Sequence, residues 1–334
     1  MNSLARDAKT LGCLSPGPKL LRQLMRQPLG SPTLRVRSGG TSSRCAGDGS
    51  WTLDLSRHRE FLHHEATQEV EFGTGLTMAE LLQAMRASGR SLPIGLSGLT
   101  GSGFILSGGM GPLSRSQGLA LDHITAIEGI WGSGEPFALR KDECTDDSSR
   151  WRALMGAAPF LAVVTRLRLR TQRLQTLQVR HGLIPASQLP MLNQIAESWP
   201  ETVSLQWNWG ERLEVYAVDC SPAERPSRHL EALDPFLGAD PQAAIQRCRD
   251  QLEQPGFGSL ASETVPSSPF HSEVIARLGP ALKQQGGALV EHLSARMRES
   301  PHSGCRISAQ QLGGATARIG SEQTSFIHRD SVWK

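Results

Sequence analysis

Glycine is concentrated in one stretch of the chain, residues 93–111, and this stretch limits the folds that the chain can adopt. Seven of its nineteen residues are glycine, interleaved with apolar residues and small hydroxyl residues. Each glycine costs conformational entropy on folding, so such a density requires a structural reason. The stretch alone leaves two reasons open: a backbone that approaches an anion closely, or a set of tight turns. We call it the second glycine segment.

A first glycine segment, residues 38–42, favours the anion. It follows a strand pattern in which Leu34 and Val36 alternate with Arg35 and Arg37. Its sequence, Ser-Gly-Gly-Thr-Ser, offers successive N–H groups and small hydroxyls that suit phosphate oxygens. No Gly-Lys-Ser/Thr follows, so it is not a Walker P-loop. The second segment is not the dinucleotide motif Gly-x-Gly-x-x-Gly either, because Leu106 stands at the last position.

The order of further motifs resembles a known family. Residues 37–40 (Arg-Ser-Gly-Gly) are followed by 53–56 (Leu-Asp-Leu-Ser), 73–75 (Gly-Thr-Gly), and 118–122 (Gly-Leu-Ala-Leu-Asp) after the second glycine segment. Residues 151–156, 162–165, 312–318 and 326–329 add weaker matches. This series resembles the PCMH-type FAD-binding domain of the FAD-linked oxidases, the vanillyl-alcohol oxidase and berberine-bridge-enzyme-like group. The likeness covers roughly residues 11 to 170 well and the C-terminal part in patches.

The resemblance implies an α+β protein. A PCMH-type FAD-binding domain of two α/β subdomains would occupy residues 1–171. An incomplete substrate or cap domain, an antiparallel sheet with helices, would occupy 172–334 and be C-terminally truncated relative to the family. Local patterns predict a helix beginning with a capping box at Thr77 and Glu80. They also predict paired strands at 202–209 and 212–218, helices at 224–233, 241–253 and 272–298, and a strand over 305–319.

The resemblance also implies FAD, lying between the two subdomains with its pyrophosphate held by the glycine segments. Backbone N–H groups would neutralise the anion, and glycine would leave room for a planar ring. Carried over position by position, the cofactor-binding residues are Arg37, Ser38, Gly39, Gly40, Thr41, Ser42, Gly101, Ser102, Gly103, Gly108, Gly109, Asp122, Ile124, Val163 and Val164.

Several positions depart from the family pattern. Thr41 stands where relatives often attach FAD through histidine, and no cysteine lies between Cys45 and Cys144. FAD is therefore expected to be bound non-covalently. The run after Gly156 is Ala-Ala-Pro instead of glycine-rich, which weakens a backbone anion site. Relatives continue with a closing segment that supplies a catalytic tyrosine; Tyr216 is the only tyrosine here, so the catalytic residues are unknown.

These features predict an FAD-dependent oxidoreductase, an oxidase or dehydrogenase, that transfers hydride from a small alcohol or sugar-like donor to flavin. The departures leave an alternative open, a catalytically degenerate flavin-fold protein acting as a binding module. They also leave open a protein partner or a second gene fragment. His328 and Arg329 have two interpretations as well: approach to the substrate or the flavin carbonyl, or a solvated tail.

Composition excludes other classes of protein. The net charge of +3 argues against nucleic acid, and no apolar run of about 18 residues predicts a membrane span. The N-terminus has no apolar signal region, and the six cysteines form no Cys-x-x-Cys pair, so a cytoplasmic protein with free thiols is expected. No metal is expected, because His63 and His64 are adjacent and a His-Glu-x-x-His pattern is absent.

Overall fold

A computed structural model describes residues 3–26, 33–143, 148–222, 225–237, 243–255, 275–300 and 305–334. The helices are α1 (Ser3–Asp7), α2 (Pro18–Arg26), α3 (Met78–Arg86), α4 (Gly103–Leu106), α5 (Ser114–Gln117), α6 (Ser148–Leu161), α7 (Leu189–Glu197), α8 (Arg228–Glu231), α9 (Asp234–Leu237) and α10 (Gly286–Glu299). The strands are β1 (Gly12–Leu14), β2 (Leu34–Arg37), β3 (Trp51–Asp54), β4 (Phe61–His64), β5 (Glu69–Gly73), β6 (Arg90–Ser91), β7 (Ile124–Trp131), β8 (Pro136–Arg140), β9 (Ala162–Arg170), β10 (Gln172–Arg173), β11 (Leu177–Ile184), β12 (Val203–Trp209), β13 (Leu213–Asp219), β14 (Gln246–Cys248) and β15 (Ile307–Gln310).

The N-terminal part contains a small parallel sheet of order β1-β3-β2. Leu21 and Leu24 of α2 pack on Leu53 of its central strand. The same apolar cluster takes in Ile130 and Val163, which belong to the next sheet along the chain. The two sheets therefore share a buried boundary.

The next sheet is antiparallel, with strand order β4-β5-β9-β7-β8. Its inner face packs against α3 and α6 in the largest apolar cluster, which includes Phe72, Leu81, Ile127 and Leu167. Helix α3 begins at the predicted place: Thr77 is the N-cap, and its capping box with Glu80 is complete. An ion pair joins β9 to β5, since Arg166 Nη1 lies 2.9 Å from Glu71 Oε1.

The C-terminal part carries a second five-stranded antiparallel sheet, of order β14-β11-β13-β12-β15. The predicted pairing of residues 202–209 with 212–218 is confirmed in β12 and β13. Helices α7 and α10 cover one face, and the cluster there includes Leu192, Leu205, Trp207 and Val290. Sheet plus helices agrees with the α+β architecture that the resemblance implies.

Several helix predictions in this part are wrong. Within 241–253, residues Gln246–Cys248 form β14, which pairs with β11, and Gln251–Glu253 form a short 3-10 turn. Strand pairing with a distant segment overrides local helix preference here. Helix α10 covers only the end of the predicted 272–298, and β15 only the start of 305–319. In 224–233 the helix is Arg228–Glu231; residues 224, 241–242 and 272–274 lie outside the described chain.

Candidate functional site

The first glycine segment begins where β2 ends. Leu55 N donates to Arg37 O at 2.9 Å, which fixes the end of the strand beside β3. The Arg37 guanidinium has one long ion pair, 3.7 Å from Arg37 Nη1 to Asp54 Oδ2. Its Nε is buried, and no described residue accepts a hydrogen bond from it. A cation with unused hydrogen-bonding capacity therefore stands at the start of the segment.

The two glycine segments touch backbone to backbone. A Cβ on Gly39 would lie 2.6 Å from Leu99 O and would collide with Gly101 N. A Cβ on Gly101 would lie 2.9 Å from Gly39 Cα. Real Cβ atoms do not come this close to a backbone, so both positions require glycine. The structure thus brings together the two segments that the sequence analysis connected.

Two of the predicted cofactor-binding serines join loops to one another. Ser38 Oγ donates to Thr74 O at 2.5 Å and accepts from Ser102 N at 3.0 Å. Ser102 Oγ donates to Thr74 O at 3.3 Å, and Ser102 is buried. Thr74 Oγ1 in turn donates to Val164 O at 2.8 Å. These hydroxyls position the segments, a function for Ser38, Ser102 and Thr74 that the sequence analysis did not identify.

The outer side of this contact is open. Thr41, Ser42 and Gly103 are exposed, and a Cβ on Gly103 would meet no atom within 4 Å. Gly40 is buried with a φ of +74°. The surface therefore combines a glycine with room beside it, two exposed hydroxyl residues and the partly unpaired Arg37. This chemistry fits the pyrophosphate of FAD.

Gly108 and Gly109 form a second part of the predicted site, next to residues 119–122. Both have positive φ, +132° and +72°. Their carbonyls accept hydrogen bonds from Leu121 N and Ala120 N, each at 3.1 Å. A Cβ on Gly109 would lie 2.5 Å from the Cβ of Ala120, so glycine is needed for the two chain segments to meet.

Asp122 is paired within the protein. Its carboxylate accepts from Leu119 N at 2.9 Å and from Arg329 Nη1 at 3.0 Å. The Arg329 side chain is only 4% exposed, so the solvated-tail interpretation is wrong for this residue, whereas His328 is exposed. Asp122 and Ile124 border a cavity of about 520 Å³ together with Trp151, Thr324 and residues near them.

The remaining predicted positions contribute buried side chains. Ile124 and Val164 belong to the core of the antiparallel sheet, and Val163 to the boundary cluster with α2. The run after Gly156 forms the last turn of α6, with a break at Met155 and Gly156, and leaves Phe160 79% exposed.

Tyr216 is not available as a base. Burial raises the pKa of Tyr216, and its hydroxyl donates to Gln254 Oε1 at 3.1 Å. Glu128 is exposed, and its Oε2 lies 3.9 Å from Arg166 Nε, so the two residues form a surface ion pair. His64 lies 3.5 Å from Glu71.

The described residues show neither a metal centre nor a membrane-spanning helix. They contain no cluster of His, Cys, Asp and Glu that could hold a metal ion. None of their helices is both long and apolar enough to cross a membrane. The described cysteines are free, and Cys144 lies outside these ranges.

The sequence indicates no function for Arg115, and it marks Phe326 only as part of a weak motif match. Arg115 is buried on α5, which follows the second glycine segment. It donates to Leu312 O at 2.7 Å and to Trp199 O at 2.9 Å, so it connects α5 to the C-terminal part of the chain. Phe326 packs against the large N-terminal core. A charged residue has no sequence signal for burial, because its partners lie far away along the chain.

Comparison with known proteins agrees with this geometry. The model of the FAD binding domain matches residues 31–140. The FAD-linked oxidoreductase janO of Penicillium janthinellum is 34% identical over 306 residues, 82% of this chain and 64% of janO. The uncharacterized FAD-linked oxidoreductase YgaK of Bacillus subtilis is 23% identical over 84% of this chain and 63% of its own. The chain thus spans slightly less than two thirds of the length of these curated relatives.

Solved structures share the fold. A xylooligosaccharide oxidase from Myceliophthora thermophila has a TM-score of 0.79 at 17% identity, over 99% of this chain and 77% of its own. The Physcomitrella patens BBE-like 1 protein has a TM-score of 0.78 at 15% identity, over 99% and 78%. Residues 31–140 therefore match an FAD binding domain, the chain is similar in sequence to FAD-linked oxidoreductases, and it shares its fold with berberine-bridge-enzyme-like proteins.

Proposed function

We propose that this protein is an FAD-dependent oxidoreductase that takes hydride from a small alcohol or sugar-like donor. The observation that carries the proposal is the contact between the two glycine segments, with open space beside Gly103 and a partly unpaired Arg37 at the start of the first segment. The bound flavin would supply the redox chemistry, and the chain would supply binding and orientation.

We call Arg37 and the two glycine segments together the FAD cradle, and each part of it would make its own contribution. Arg37 would place positive charge beside the pyrophosphate, and residues 39–42 and 101–103 would face it with backbone and small side chains. Ser38 and Ser102 would hold the two segments at a fixed separation through Thr74 O. Because these groups are fixed before the ligand arrives, little ordering cost would remain on binding.

The attachment of the cofactor is proposed to be non-covalent. Thr41 is exposed beside Gly40, and its hydroxyl cannot make the bond that a histidine makes in relatives. Ser97, nearest to the expected place of a cysteine linkage, has no thiol. Acid precipitation of the purified protein should therefore release all flavin colour into the supernatant.

The class of donor is a separate part of the proposal, and an assay with a panel of donors tests it. The names of the structural neighbours include xylooligosaccharide and chitooligosaccharide oxidases, but at 17% identity they bear on fold only. A panel of alcohols, mono-saccharides and oligosaccharides, monitored by bleaching of the flavin absorption without oxygen, would identify the donor. The relatives' names favour an enzyme over a non-catalytic binding module, and nothing in them supports a protein partner.

The test uses Gly103, where a side chain has room in the folded protein. Gly103→Val should leave the unfolding temperature of the apoprotein nearly unchanged but weaken FAD binding at least tenfold, since valine would occupy the ligand's space. The matched control is Gly287→Val, at a helical glycine whose Cβ also meets nothing within 4 Å. Wild-type protein that is colourless and takes up no FAD on reconstitution would refute the proposed function.

A further inference from the structure

We propose that residues 324–329 form the back wall of the FAD cradle and that Arg329 is the residue that positions this wall. The inference rests on the proposed function, because it concerns the same cofactor. It adds a C-terminal element to a site that was assigned to residues before 165. We call residues 324–329 the C-terminal wall.

Arg329 holds the wall to the FAD-binding domain through a buried ion pair. Its Nη1 donates to Asp122 Oδ2 at 3.0 Å, and its Nη2 lies 2.8 Å from Asp122 Oδ1. The two side chains are only 4% and 7% exposed. A charge buried to this degree needs its partner, and removing either one leaves the other unpaired in a poorly solvated place.

The same guanidinium also folds the wall onto itself. Its Nε donates to Phe326 O at 3.1 Å, and its Nη2 donates to Thr324 Oγ1 at 3.0 Å. Its central carbon lies 5.2 Å from the centre of the Phe326 ring. Arg329 therefore satisfies Asp122 and fixes the conformation of residues 324–326 with the same five N–H groups.

Phe326 carries the contact to the glycine segment. A Cβ on Gly108 would lie 3.3 Å from the Phe326 ring, and a Cβ on Gly156 would lie 2.8 Å from Phe326 N. Both glycines have positive φ, so both are suited to this close approach. Ser325 N donates to Met155 O at 2.8 Å beside them. The wall thus packs directly on the backbone of Gly108, a predicted cofactor-binding position.

Hydrogen bonds of residues 119–122 connect Asp122 to Gly108, a predicted cofactor-binding position. Asp122 accepts from Leu119 N, and the neighbouring Leu121 N donates to Gly108 O. Displacing Arg329 would free Asp122 and loosen the segment that carries Gly108 and Gly109. Because coupling between sites is reciprocal, FAD binding should order the C-terminal wall by the same factor by which the wall tightens FAD binding.

The experiment measures the FAD dissociation constant of apoprotein by flavin fluorescence, together with thermal unfolding of each apoprotein. Arg329→Ala and Asp122→Asn should each raise the FAD dissociation constant at least tenfold. The constant of the double variant should not exceed the higher of the two single-variant constants, because both substitutions break the same ion pair. Arg329→Lys should recover part of the affinity. The control is Arg318→Ala, in the same C-terminal stretch, which removes an exposed ion pair with Glu201 and should change the constant less than twofold.

Proteolysis supplies the second readout. In the wild type, saturating FAD should slow thermolysin cleavage within residues 319–329 by at least the factor by which Arg329→Ala raises the FAD dissociation constant. In the Arg329→Ala variant, FAD should protect these residues less. If Arg329→Ala does not fold, Arg329→Lys and Asp122→Asn carry the comparison. Wild type that binds no FAD refutes the proposed function and this inference with it. Wild type that binds FAD, while the Arg329 and Asp122 variants bind it equally well, refutes the inference alone.

Discussion

The contact between Gly39 and Gly101 gives the sharpest test of the cradle. In a Gly39→Ala variant the new Cβ would sit 2.6 Å from Leu99 O, whereas ordinary contacts begin at 3.4 Å. The two segments would have to separate by roughly 1 Å, which typically costs about 1–3 kcal/mol. The same movement would stretch the Ser102 N to Ser38 Oγ bond from 3.0 Å beyond hydrogen-bonding distance, which costs about 1 kcal/mol more.

The assay for Gly39→Ala is urea unfolding of the apoprotein, with FAD titration of the same samples. We expect the free energy of unfolding to fall by about 2–4 kcal/mol. The FAD dissociation constant should rise at least tenfold, since the loops that face the pyrophosphate have moved. Gly287→Ala, at a helical glycine with open space around its Cβ, is the control and should be neutral or slightly stabilising.

A double-mutant cycle tests whether the contact itself is responsible. Gly101→Ala should destabilise by a similar amount, because its Cβ meets Gly39 Cα at 2.9 Å. Once one alanine has separated the segments, the second should cost less, giving a coupling of about 0.5–3 kcal/mol. Unchanged unfolding of Gly39→Ala, or strictly additive effects of the two alanines, would refute the direct contact.

Three further predictions concern single side chains. Burial disfavours the ionised form of Glu71, but hydrogen bonds from Arg168 and Arg166 outweigh this effect and lower the pKa of Glu71 below 4.5. The ionised carboxylate therefore stabilises the fold above pH 4.5, and this stabilisation is lost as the pH falls further. Glu71→Gln should cost about 1–2 kcal/mol at pH 7 and make acid unfolding, followed by circular dichroism, less steep below pH 4.5; an identical acid limb would contradict this. Tyr216→Phe should lose about 1 kcal/mol of stability but keep the kcat of the wild type, and a large loss of kcat would show that the tyrosine takes part in the reaction after all. Arg115→Met should lower the free energy of unfolding by about 2 kcal/mol, because the carbonyls of Leu312 and Trp199 lose their donor, and equal thermal unfolding would contradict this.

The N-terminal architecture could be predicted because its signals are local. A capping box specifies the start of α3 within four residues, and alternation marks β2 directly before Ser38. The assignments failed where a distant partner decides. Cys248 belongs to a strand only because β11, some 70 residues earlier, pairs with it, and local composition predicts helix there.

The site divides in the same way. Glycine content and the family resemblance predicted Gly39 and Gly101 as cofactor-binding residues, and the structure brings the two into contact. The hydroxyls of Ser38 and Ser102 were assigned to the cofactor, yet the structure directs both to Thr74 O. No sequence pattern predicts this, because a serine hydroxyl can donate to a ligand oxygen or to a backbone carbonyl. Arg329 was interpreted as a substrate or flavin contact or as part of a solvated tail, and neither interpretation includes its buried pair with Asp122, which lies 207 residues away along the chain.

Gly103 explains why tight turns alone do not account for the second glycine segment. Gly101 is needed for the contact with Gly39, and Gly109 for the contact with Ala120. Gly103 has neither a close neighbour nor a positive φ, and it is the first residue of the short helix α4. No contact or backbone angle among the described residues requires glycine here. A ligand that approaches the backbone from the open side does, and a valine at this position separates the two explanations, since it would leave folding intact and hinder only the ligand.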